Sequence, residues 1–166
     1  MSRRPPHRAQ QRGDIFGPWV GIVALTASRT APLPEDERRR MSTRLHISLS
    51  DIEHGASPAI ESWRDITDAV NFIQSAVEKD WAADPDQAVG AAKAALLDGH
   101  AHAVAHGVVR MTAESIAGIR NLLEQFDGIL AAVSAHSYWQ MVLHTQKRVA
   151  RIVSGAKKRG DVVVQL

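Results

Sequence analysis

Ile60, Trp63, Ile66, Val70, Ile73, Val77 and Trp81 recur at intervals of three and four residues. A strand puts alternate residues on one face, so it cannot use that spacing. A period near 3.6 gathers all seven on one stripe of an α-helix. Ser57 suits the N-cap of this helix, Pro58 its first position and Glu61 its first turn, and Asp84-Pro85 follows an expected end near Ala83.

The same reading extends down the chain. Asp84 and Pro85 serve as N-cap and first residue of a second helix, with Val89, Ala92, Leu96, Ala103, Val104 and Val108 on its apolar arc. Its alanines imply close helix approach, and Gly90, Gly99 and Gly107 each weaken it by about 1 kcal/mol. Thr112 caps a third helix, with Glu114 near its positive end and Ile116, Ile119, Leu123, Phe126, Leu130 and Val133 as its stripe. Tyr138, Met141, Val142, Val149 and Ile152 fall out of phase with that stripe. A straight helix cannot bury both sets, so the pattern predicts a kink, or a short break giving a fourth helix from about Ser137 to Ser154.

The expected fold is all-α, a small bundle of three or four antiparallel helices with disordered termini. Residues 1–44 read as a disordered basic segment, 57–154 as the bundle and 155–166 as a basic flexible tail. Five prolines lie within the first forty residues. The apolar stretch at residues 15–27 (IFGPWVGIVALTA) is too short for a bilayer, which needs about 20 residues. Asp14 and Pro18 argue against a signal peptide. Met41, after the arginine run, is an alternative translation start.

Charge is segregated along the chain. Residues 1–44 carry nine Lys/Arg against four Asp/Glu, residues 45–146 five against thirteen, and residues 147–166 six against one. An acidic body with basic ends bears on partners and not on fold.

Three segments carry a resemblance: Trp63-Arg64-Asp65-Ile66-Thr67-Asp68-Ala69-Val70-Asn71, Leu122-Leu123-Glu124-Gln125-Phe126-Asp127-Gly128-Ile129-Leu130 and Gln146-Lys147-Arg148-Val149-Ala150. Over about residues 60–155 the chain resembles small uncharacterised helical proteins found on phage and plasmid DNA of proteobacteria. The resemblance implies a bacterial mobile-element setting and supplies no activity.

No recognisable catalytic site stands out. The chain has no cysteine, which excludes disulfides and thiolate chemistry and fits a reducing, cytoplasmic compartment. Gly155 and Gly160 have phosphate-loop spacing, but Asp161 and Val162 stand where the loop needs lysine and a hydroxyl. There is no G-x-S-x-G elbow. His102 and His106 share a helical face with Asp98 and could form a bis-histidine metal site, while His100 points into the apolar arc. Without a clear fourth ligand, neither metal nor cofactor is expected.

Two surfaces remain as candidates. Glu61, Asp65 and Asp68 read as a solvated acidic face of the first helix, and Phe72 sits among them as an exposed anchor. Trp139 is similarly out of phase. Lys147, Arg148, Arg151, Lys157, Lys158 and Arg159 form a basic end able to neutralise several phosphates. The expectation is a non-enzymatic accessory protein that contacts a protein partner, or itself, through Phe72, Asp65, Asp68 and Trp139. The alternative is weak, sequence-independent nucleic-acid binding through the basic end. No membrane partner is expected.

Overall fold

The computed structural model describes residues 30–55, 60–84 and 87–155, and its regular elements are all helices. They are α1 (Glu35–His54), α2 (Ile60–Glu78), α3 (Ala88–His106), α4 (Ala113–Ala132) and α5 (Ala135–Val153). The expected all-α class holds, but with five helices among the described residues in place of three or four. The caps at Ser57 and Pro58, the Pro85 position and the expected disorder of residues 1–29 and 156–166 lie outside the described residues.

The additional helix is α1, whose first ten residues fall in the segment read as disordered. Glu35, Asp36 and Glu37 occupy its first turn, where the helix dipole favours negative charge. Met41, Leu45, Ser48, Leu49 and Ile52 form its buried stripe. Ahead of it, Leu33 is buried, Pro32 bridges to Ser134, and the Ala135 N–H donates to the Ala31 carbonyl at 2.8 Å. Met41 therefore lies within α1, so translation from it would remove the helix's first turn and a half.

Helix α2 packs against each of the other four. From Asp65 to Ala76 all its residues except Asp68 are buried. It ends at Glu78, earlier than the periodicity suggested, because Asp80 takes a left-handed φ of 56° and turns the chain. Trp81 thereby leaves the stripe and is 45 % exposed, and Ile60 at the other end is equally so. Arg44 and Ser48 bond to Asp65 while Asp51 accepts from Ser62, so α1 and α2 run antiparallel. Along α2 and α5 the pairs advance together, Phe72 against Tyr138 and Glu78 against Arg148. Not every neighbouring pair is antiparallel.

The break between α4 and α5 falls where the register change placed it. Thr112 Oγ1 accepts the Ser115 N–H at 3.1 Å, and Ser134 Oγ accepts the Ser137 N–H at 3.1 Å, so each helix has its own cap. The new direction brings Tyr138 into the core. Phe72 packs edge-on against Phe126 (centroids 5.4 Å apart) and tilted against Tyr138 (5.3 Å), whose hydroxyl donates to Met41 Sδ. Side chains of α1, α2, α4 and α5 meet at this point.

Candidate functional site

Helix α3 turns one side to the protein and leaves an apolar side outside. Ala88, Val89, Ala92, Ala95, Leu96 and Gly99 are buried. About half a turn away, Gly90, Ala94, Leu97, Ala101 and Val104 follow one another at intervals of four, three, four and three, and all are exposed. Leu97 is 43 % exposed and Val104 74 %. The arc assigned from the sequence was correct for Val89, Ala92, Leu96 and the half-buried Ala103. It was wrong for Val104 and for Val108, which is 37 % exposed.

The ends of α3 hold it in place. The Asp84 carboxylate accepts the Val89 N–H at 3.2 Å, one turn beyond the expected N-cap geometry, because Gln87 starts the helix from a left-handed φ of 55°. Gly107, at φ 73°, closes the helix with its N–H on the Ala103 carbonyl. Only glycine adopts that conformation cheaply. Lys93 and Asp98 flank the exposed stripe on opposite sides.

A helix apolar on two sides belongs inside a larger core, in a membrane or against a partner. Among the described residues no helix is long and apolar enough to cross a membrane. The signal was present in the sequence as a second stripe at coiled-coil spacing, opposite the first.

A second surface is a groove of about 660 Å³ between α1 and α2, lined by Arg39, Arg40, Arg44, Ile47 and Glu61 among others. Asp65 sits at its base, 6 % exposed, where Arg44 holds both carboxylate oxygens at 2.6 and 2.7 Å and Ser48 donates at 2.9 Å. The groove walls carry both signs of charge, and the arginines beside it are engaged with Glu35, Glu37 and Asp65.

The residues singled out from sequence do not form one surface. Phe72 is fully buried in the aromatic core, which corrects the expectation that it is an exposed anchor. The helical wheel assumed α2 had one covered side, and it is enclosed on several. Asp65 is likewise buried and paired, and not part of a solvated face. Asp68 is half-buried, and Trp139 packs partly buried against the core. Arg148, at 2 % exposure, is inside and donates through Nε to Glu78 at 3.0 Å, so it is not presented to phosphates. Lys147 is exposed and Arg151 half-buried, while Lys157, Lys158 and Arg159 lie outside the described residues.

The rings of His102 and His106 are 4.5 Å apart, and His102 Nδ1 sits 2.8 Å from the Val108 carbonyl. Among the described residues no three His, Cys, Asp or Glu side chains converge as a metal site would require, so Asp98 does not complete one. Comparison with protein-family models, curated proteins and solved structures gives no match.

Proposed function

We propose that this chain is a non-enzymatic accessory or regulatory protein, a small cytoplasmic helical bundle acting by protein–protein contact through the outer face of α3. The observation that carries the reading is the exposed stripe of Ala94, Leu97, Ala101 and Val104 on a helix whose opposite side is already buried. Covering such a stripe is favourable by about 25 cal/mol for each Å² of apolar surface removed from water. Patches of a few hundred Å² on a monomer are often functional. The bacterial mobile-element setting rests on the three resembling segments alone.

The contact moves from Phe72 and Asp65, both buried, to side chains that can be changed without opening the core. Replacing Leu97 and Val104 together by lysine places two charges on the stripe. Partners that the wild-type chain retains from a host lysate should be lost, with the helical circular-dichroism spectrum unchanged. Retention of every partner by the double variant would overturn the assignment of this face.

A further inference from the structure

We infer that the outer face of α3 pairs with the same face of a second copy of the chain, the two helices running antiparallel about a two-fold axis level with Gly99. This rests on the reading of α3 as the interaction surface and names its partner.

The stripe matches itself when reversed. Leu97 and Ala101 lie two residues either side of position 99, and Ala94 and Val104 five either side. In an antiparallel pair Leu97 therefore meets Ala101 of the second copy, and Ala94 meets its Val104. Each of the four layers joins one large and one small side chain. The layers are then nearly equal in thickness, and the axes can stay near the short end of the usual 8–10 Å range along the whole contact. A parallel pair would stack Leu97 on Leu97 and Val104 on Val104, with alanine on alanine between. The large layers would hold the helices apart and leave gaps at the small ones, and unfilled space of that kind is destabilising.

Charge at the rim reports the direction. Asp98 is exposed beside the stripe. In the antiparallel pair the two Asp98 carboxylates lie on the same flank close to the axis and repel one another. In a parallel pair Lys93 of one copy would reach Asp98 of the other, the attraction found between flanking positions of parallel coiled coils. The packing favours antiparallel pairing and the charge opposes it. Two solvated charges roughly 10 Å apart in water change an equilibrium only about twofold, so the one repulsion accepted and the two attractions forgone come together to less than about tenfold, against layers that fit in one direction only.

The area sets the strength. A 19-residue helix is about 28 Å long. A face some 10 Å wide then covers roughly 300 Å² per copy, against about 800 Å² per partner in a stable complex. The dimer is accordingly weak and concentration-dependent.

Sedimentation equilibrium of the full chain from about 10 µM to about 1 mM tests the pairing. The mean mass should rise from 18.1 kDa towards twice that value. The double variant Leu97→Lys, Val104→Lys should stay monomeric throughout with unchanged helicity. Asp98→Asn should tighten the dimer about twofold by removing the repulsion; an unchanged or weaker dimer overturns the antiparallel arrangement. A wild-type chain that is monomeric at the top of the range overturns self-pairing. Should its other protein partners still vanish with the double variant, the interaction reading survives without self-pairing; should they persist, both fall.

Discussion

Gly99 carries opposite meanings in the sequence and in the fold. Inside a helix a glycine costs about 1 kcal/mol against alanine, so in the sequence it looks like a defect. In the fold a Cβ at this position would stand 2.7 Å from Trp63 Cη2 and 3.1 Å from Met111 Cε. The absent methyl lets α3 lie against the indole of α2, and Trp63 is 2 % exposed as a result. Gly99→Ala should gain the helical propensity and lose more to overpacking, typically 1–3 kcal/mol. A net destabilisation of about 1 kcal/mol is expected in urea unfolding. Gly90→Ala, where nothing lies within 4 Å of the added carbon, should be neutral or stabilising. If both changes stabilise, the close approach at Trp63 is not as described. Phe72 and Asp65 teach the same lesson. Their surroundings come from α1, α4 and α5, which no spacing within α2 reveals.

At the scale of the element, periodicity located what caps and stripes determine and missed what packing determines. The register change foretold the α4–α5 break because it is local, although the helix starts at Ala135 behind the Ser134 cap and not at Ser137. Helix α1 was equally patterned, with Met41, Leu45, Ser48, Leu49 and Ile52 in register. Its pattern is harder to see in the sequence because prolines and an arginine run precede the stripe and Ser48 interrupts it with a polar residue. The basic character of α5 was legible, but the burial of Arg148 was not, since that depends on Glu78 arriving from α2. The same corner holds His144, whose ring meets that of Trp81 at 5.8 Å. Burial, and then Lys79, hold its pKa below the ordinary 6.5; Glu78 opposes them, and Arg148 and Arg151 add to the lowering. The fold thus favours the neutral ring. Below pH ~6.5 the unfolded chain binds protons that the folded chain resists, so stability rises with pH through that window. This contribution is complete above 6.5 and lost as the pH falls beneath it. His144→Gln should flatten the fall in the urea midpoint between about pH 7 and pH 5. An unaltered slope would mean that the ring is not held neutral.

For the described residues as a whole, the linear division into a basic start and an acidic body does not survive folding from residue 30 onward. Arg39 and Arg40 pair with Glu35 and Glu37 on α1, Arg44 reaches Asp65 on α2, and Arg120 of α4 reaches back to Glu53 of α1. The start of α1 is structural. With the short stretch before it, that segment ties the centre of the molecule to the α4–α5 junction. A chain beginning at Met41 would lose buried Leu33, the Pro32–Ser134 bridge and the bond from Ala135 to Ala31. Burying a leucine contributes about 1.5–3 kcal/mol and a hydrogen bond about 1 kcal/mol, the first being an upper estimate. The new charged amino group would also sit on a residue that is 2 % exposed. Leu45, Leu49 and Ile52 remain to hold α1 against α2, so the shortened chain should still fold as helices. Its stability should fall by about 3 kcal/mol, read as a lower urea midpoint with the cooperativity of unfolding preserved. An unchanged midpoint would mean that residues 31–40 contribute nothing to the fold and that α1 effectively begins at Met41. A wholly unfolded chain would mean that residues 31–40 are a condition of folding and not an addition to a core that closes without them.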